Sequence, residues 1–259
     1  MLRNELQAIY VMWLREMKRF IRSKSRVISM IIQPIFFLFI LGSGLRNAML
    51  PGMSTTGDYM DFLAPGIVAM AILFSSMFTG VSVLWDKQFG FLQEVLVAPI
   101  SRLSFVIGRT IGGATTALIQ GFIILLMAIG LGIKISSVFS LFLTVIFMVL
   151  MAFTAVGFGL VIASKMEDFQ GFQIIMNLII MPLFFLSSVF FPITGNTGFP
   201  DPLIKLSFAN PLFYMVDGMR GSLTGINNVL NPLVDFGIVL SICIIMLAAG
   251  SYLFSKSEI

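Results

Sequence analysis

Charged positions fall in bursts along this chain, separated by six stretches that hold no charge: Val27–Leu45, Phe62–Trp85, Thr110–Ile133, Val138–Ser164, Phe169–Pro200 and Phe236–Ser255. A helix rises about 1.5 Å per residue, so roughly 20 apolar residues cross the roughly 30 Å hydrocarbon core of a bilayer. A soluble helix would carry charges on its outer face. The pattern therefore predicts an all-α polytopic membrane protein with six spans, at 27–45, 62–85, 110–133, 138–164, 169–190 and 233–254. The fifth stretch is too long for one crossing and is expected to break at Pro192, Gly195, Gly198 and Pro200.

Two further helical patterns do not cross. From Leu2 to Arg22, the residues Leu6, Ile9, Tyr10, Trp13, Met17, Phe20 and Ile21 recur at three- and four-residue steps, while Arg15, Lys18, Arg19 and Arg22 form an opposite basic face. That is the pattern of an interface helix at 2–22, with Trp13 and Phe20 inserted beside anionic headgroups. Residues 199–224 are apolar but interrupted by Pro211. They read as one or two short helices that dip into the outer leaflet without traversing it, where the backbone must be buried in protein or face water.

Composition adds boundaries. Of 259 residues, 58% are hydrophobic and 11% charged, against about 25% charged in soluble domains. The chain reads as one transmembrane domain over 1–259, with no room for a soluble domain of ordinary size. The long basic N-terminal segment and the long apolar run after it do not fit a cleavable signal peptide. The net charge of +4 sets membrane orientation rather than nucleic-acid binding. With both termini in the cytoplasm, only Arg46, Lys134, Lys205 and Arg220 of the 16 Lys and Arg lie outside. There is no His and one Cys, Cys243, which excludes an internal disulfide and a His- or Cys-based metal site.

The charge-free cores argue against a secondary carrier, which needs ionisable groups at membrane depth. No nucleophile–base pair, paired carboxylates or phosphate loop of the G-x-x-x-x-G-K-[ST] type is present, so the chain is not read as an enzyme and energy must come from a partner. A self-contained channel or carrier, or a membrane assembly or signalling protein, remains the alternative on these grounds.

Two segments carry more. In GFLQEVLVAPISR, Gly90 and Pro99 bracket a short helix with an apolar stripe that includes Phe91 and Leu92; Glu94 lies off the stripe, and Ser101 and Arg102 follow. Such a helix suits a groove on a soluble partner, or the lipid surface. In ANPLFYMVDGMRGSLTG, Asn210–Pro211 breaks the chain, and Asp217 and Arg220 are spaced to share one helix face, which suits a local ion pair. Gln33, Gln120, Gln170, Gln173 and Asn177 are the polar candidates for lining a pathway, although helix-to-helix hydrogen bonds explain them equally well.

Together these segments, in this order and across the whole chain, resemble the membrane subunit of type-2 ATP-binding-cassette exporters, with the drug-resistance and nodulation-exporter branch nearest. The resemblance implies a cell-membrane permease that works as a homodimer, or as a pair of like permeases, with cytoplasmic ATPase subunits. ATP and Mg bind those subunits and no cofactor binds this chain. Residues 90–99 would be the coupling helix, with Gly90, Phe91, Leu92, Glu94, Pro99, Ser101 and Arg102 serving the ATPase. Asn210, Pro211, Asp217 and Arg220 would belong to an outer gate. The implied function is export of an amphipathic drug-like, lipid-linked or glycan substrate.

Overall fold

The computed structural model describes residues 2–45, 59–90, 101–193, 198–225 and 229–256. Among them are nine helices and no strand: α1 (Leu2–Arg22), α2 (Lys24–Gly44), α3 (Tyr59–Gln88), α4 (Arg102–Gly130), α5 (Val138–Lys165), α6 (Phe169–Phe185), α7 (Asp201–Phe208), α8 (Pro211–Leu223) and α9 (Pro232–Lys256). Five of them, α2, α3, α4, α5 and α9, are long and apolar enough to cross a membrane.

The fifth expected span differs from its prediction. Helix α6 holds only 17 residues, about 25 Å, and ends at Phe185 rather than near Phe190. Pro182 removes a backbone donor just before this end. The chain then turns through Ser188, whose φ of 59° lies in the left-handed region. The chain after it forms two short helices, α7 and α8, with Pro211 at the first position of α8.

Helix α3 is the axis of the bundle. It packs on α4 and α5, with α2, α6 and α8 also against it, while α9 lies on α5 and α8, and α1 lies on α4. In their most apolar windows 83% of the α3 residues are buried, against 17% for α2 and 22% for α9. Residues Ile28, Ile32, Phe36 and Phe39 of α2 and Leu233, Ile244 and Ile245 of α9 stay uncovered by the chain itself. Exposed apolar surface on this scale needs lipid or another subunit.

Close packing rests on small residues. A Cβ at Gly80 of α3 would lie 2.8 Å from the Gly159 carbonyl oxygen of α5 and 2.9 Å from the Phe172 ring, whereas a Cβ at Gly159 would meet nothing nearer than 3.6 Å. Gly80→Ala is therefore expected to cost about 1–3 kcal/mol through overpacking. Gly159→Ala should be neutral or mildly stabilising, since Ala is the better helix former by about 1 kcal/mol. Melting of the two detergent-solubilised variants distinguishes them; equal losses would contradict this contact.

Helix α1 has a third side that the two-faced pattern did not mark. Its buried stripe is Ala8, Met12 and Glu16, while Leu6, Tyr10 and Ile21 of the expected apolar face are exposed. Gly108 and Gly112 of α4 explain this. A Cβ at Gly108 would sit 2.8 Å from the Ile9 carbonyl oxygen and from the Met12 Cβ, and one at Gly112 would sit 2.8 Å from the Glu16 Cβ. The small side of α1 thus seats on the small side of α4, and the larger apolar residues point elsewhere.

Candidate functional site: the two polar ends of the bundle

At the end of the bundle that carries α1, the last turns of α3 and the first turns of α4 extend beyond the apolar windows and bring charge with them. Asp86 and Arg109, expected at the edges of a loop, are instead buried in helices. Arg109 is fully buried. Its Nη1 lies 2.8 Å from Glu16 Oε1 of α1 and 2.6 Å from Asp86 Oδ2 of α3, and its Nη2 donates to Ser82 Oγ at 2.5 Å. Arg15 grips Asp86 with both nitrogens, at 2.8 Å and 2.7 Å. This fork-to-fork geometry is the strong form of the pair. Arg19 reaches Asp86 at 3.8 Å, and its guanidinium lies 5.2 Å from the centre of the Trp85 ring. Arg15 and Arg19 had been assigned to the headgroup face with Lys18 and Arg22. The structure instead turns them inward, because two buried carboxylates need partners. Lys18 and Arg22 remain exposed.

Trp13 is half-buried and its indole nitrogen donates to Thr115 Oγ1 of α4 at 3.2 Å. Phe20 is half-buried as well. Ion pairs and hydrogen bonds thus lock α1 to the last turns of α3 and to α4.

The flanks of the segment that joins α3 to α4 are fixed. Gly90 takes a φ of 75°, a left-handed turn at the exit of α3. Just before it, Trp85 stacks on Phe169 at 5.8 Å, and Gln88 Nε2 donates to the Glu167 carbonyl at 3.3 Å. On the far flank Ser101 caps α4 by accepting from the Ser104 amide at 3.1 Å. Ser101 also donates its hydroxyl to Glu5 Oε2 at 2.8 Å and its amide to Glu5 Oε1 at 3.1 Å. Contacts to Ser104 and Ser101 hold the Glu5 carboxyl below the usual carboxylate range. This tie is present above the ordinary carboxylate pKa and lost as pH falls through the depressed one. Arg102 is exposed. The coupling residues Phe91, Leu92, Glu94 and Pro99 lie outside the described residues.

The opposite end is built around α8. Asn210 caps it, accepting from the Leu212 amide at 3.0 Å, while its Nδ2 donates to the Leu183 carbonyl near the end of α6 at 2.5 Å. Asp217 and Arg220 are both fully buried, yet they form no ion pair with each other. Asp217 accepts from the amides of Val229 and Leu230, at 2.9–3.0 Å. Arg220 donates to the carbonyls of Phe62, at 3.2 Å, and Ser188, at 2.6 Å, and lies 3.8 Å from the centre of the Phe62 ring. The expected local pair is thus replaced by two longer reaches. The reason is the buried non-helical chain at Ser187–Phe190, whose carbonyls have no helix to satisfy them. Tyr59 does the same work, donating its hydroxyl to the Phe190 carbonyl at 3.0 Å. Sequence reasoning missed Tyr59. The signal available was a charge-free stretch too long for one span, whose irregular part needed donors from elsewhere. Asp61 Oδ1 accepts from the Lys134 amide at 3.0 Å, tying the start of α3 to the turn after α4.

The pathway candidates do not form one group. Gln170, Gln173 and Asn177 are exposed along one side of α6, beside exposed Ile174, Leu178, Met181 and Phe185, and Gln33 is exposed on α2. Gln120 is only 1% exposed, and its Nε2 lies 3.4 Å from the Met30 sulfur. It is a packing residue between α4 and α2 rather than part of an open face.

Comparison with known proteins agrees with this architecture. The pattern that defines the ABC-2 type transporter matches residues 7–224. The inner membrane transport permease YadH of Escherichia coli is 29% identical over 239 residues, covering 90% of this chain and 88% of that one. The transport permease ycf38 of Cyanophora paradoxa is 26% identical over 216 residues, covering 83% and 73%. A chain named as a multidrug ABC transporter permease, YbhR of Escherichia coli, is 31% identical over 162 residues, covering 62% and 43%. This chain belongs to the ABC-2 type transporter family as a polytopic transport permease, the membrane part of a transporter whose family works with a separate ATPase subunit.

Proposed function

We propose that this chain is the permease subunit of an ATP-driven exporter that moves an amphipathic drug-like, lipid-linked or glycan substrate out of the cytoplasm. Two copies, with α6 counted as the sixth span, form the pathway between them. The observation that carries this reading is the ion network of Arg109, Asp86, Glu16 and Arg15, which locks α1 to the end of α3 and the start of α4. A short helix that joins α3 to α4 in such a network is suited to transmit movement of a docked ATPase to three helices at once.

In this arrangement both termini and the network face the cytoplasm at the cell membrane, α1 lies at the inner interface against lipid, and the buried chain capped by Tyr59, Asn210 and Arg220 closes the outside. The uncovered faces of α2 and α6, with Gln33, Gln170, Gln173 and Asn177, meet the second copy and line the pathway. The mixed apolar and amide surface there suits an amphipathic substrate.

Two measurements test it. The permease co-expressed with its ATPase should co-purify with it and drive ATP-dependent accumulation of an amphipathic dye in inverted vesicles; a permease that moves the dye without ATPase would refute the reading. In a Cys243→Ser background, Ser257→Cys should react with a membrane-impermeant maleimide only after permeabilisation. Labelling in intact cells would invert the topology.

A further inference from the structure

We propose that α1 carries a discrete binding site for the phosphate of an anionic phospholipid in an open cleft lined by Val11, Leu14, Arg15, Lys18, Arg19 and Arg22. The proposal rests on the reading that α1 lies at the cytoplasmic membrane surface. The cleft measures about 520 Å³, large enough for a headgroup with its glycerol. Its lining residues recur along one stripe of the helix and end at Ser23, directly before the apolar span of α2. A molecule seated there lies level with the boundary between headgroups and hydrocarbon.

Charge favours an anion. Along the cleft stand Arg15, Lys18, Arg19 and Arg22, with Arg109 in the ion network behind them, and among the described residues the carboxylates that pair with this group are Glu16 and Asp86. Both carboxylates are already engaged: Asp86 by Arg15 and Arg109, Glu16 by Arg109. The Arg19 Nη1 is buried, stands 3.8 Å from Asp86, and donates to no acceptor. Lys18 and Arg22 are exposed and form no ion pair among the described residues. Guanidinium and ammonium donors in excess over carboxylates, converging on one cleft, match a phosphate.

The other wall selects a lipid rather than a free anion or an acidic protein. Val11 and Leu14 give the cleft an apolar side that a soluble phosphate cannot use. The neighbouring face of α1 exposes Leu6, Tyr10 and Ile21, which lipid covers and a polar partner does not. Each basic residue near an anionic surface adds to attraction, and the effect is screened by salt.

The test uses the full-length permease, delipidated in neutral detergent, with dihexanoyl phosphatidylglycerol, dihexanoyl phosphatidylcholine and inorganic phosphate as separate probes. Thermal shift and lipid retention in native mass spectrometry are read for the natural chain and for Lys18→Gln with Arg22→Gln. Both substituted residues are exposed and outside the buried ion network, so the variant should elute and melt as the natural chain does without lipid. Phosphatidylglycerol is expected to stabilise the natural chain and phosphatidylcholine is not; the variant should bind phosphatidylglycerol at least tenfold more weakly. Equal binding by variant and natural chain would overturn the site. So would phosphate competing as well as phosphatidylglycerol, which would make it a simple anion site. A variant that keeps lipid binding but loses its ATPase would mark the cleft as a protein dock instead. The Ser257→Cys labelling is independent of these outcomes: selective phosphatidylglycerol binding with external labelling would leave the lipid site standing and remove the orientation.

Discussion

Arg109→Met is expected to cause the largest loss of stability of any single substitution at the α1 end of the bundle. The guanidinium is fully buried and touches Glu16 and Asp86 at 2.8 Å and 2.6 Å. Removing it strands Glu16, 6% exposed, without a cation, while Asp86 keeps Arg15. Breaking a buried pair from one side costs about 3–5 kcal/mol, because the remaining charge has neither water nor a partner. The melting temperature of the solubilised permease should fall on the order of 10 °C. Adding Glu16→Gln to Arg109→Met should restore much of the loss, since the stranded charge is then gone. Asp86→Asn alone should be nearly as damaging as Arg109→Met, because it removes the carboxylate that Arg15 and Arg109 share. Full stability of Arg109→Met, or no rescue by Glu16→Gln, would show that these charges do not hold α1 to the bundle.

This network also marks where the sequence stopped being legible. Apolar run lengths located five helices capable of crossing a membrane, because the bilayer demands a minimum length whatever the rest of the fold does. Hydropathy treats a charge as a boundary, however. Asp86 and Arg109 were therefore assigned to loop edges, when α3 runs on to Gln88 and α4 begins at Arg102. Their charges are tolerated in helices because Glu16, Arg15 and Ser82 meet them from other parts of the chain, and no periodicity records such a meeting. The packing side of α1 went unread for a related reason. In a membrane protein the bulkiest apolar residues face lipid, and the buried stripe is the one small enough to seat on Gly108 and Gly112. The hydrophobic pattern of α1 thus identified the helix and left unread the small side that packs on α4.

At the opposite end the motif residues were found but the partners of Asp217 and Arg220 were not. A three-residue spacing of Asp217 and Arg220 suggests a pair when only the helix is considered. Once the chain after α6 turns back unpaired into the interior, its carbonyls outbid that local partner. Arg220 satisfies Ser188 and Phe62, and Asp217 holds the amides that lead into α9. Arg220 is thus a structural cap for an irregular buried segment, whose Ser188 carbonyl has no helical partner.

Phe91→Ala with Leu92→Ala is expected to abolish ATP-driven export while leaving membrane insertion intact. The two side chains fall on the apolar stripe of the short helix read in residues 90–99, while the ties at its flanks come from other residues, Glu5, Trp85, Gln88 and Ser101. Burying each in a groove of the ATPase would supply roughly 1.5–3 kcal/mol. About 1.4 kcal/mol is a factor of ten in affinity, so the double variant should bind the ATPase at least a hundredfold more weakly. ATP hydrolysis by the free ATPase should persist, since its catalytic residues are untouched. Glu5→Gln serves as the graded control: it weakens the tie to Ser101 without touching the docking stripe, so it should lower transport per ATP hydrolysed more than ATPase binding. The measurement pairs ATPase co-purification with export in inverted vesicles. Unchanged co-purification and export in the double variant would reduce residues 90–99 to a surface turn and leave the ion network of α1, α3 and α4 without a partner to serve.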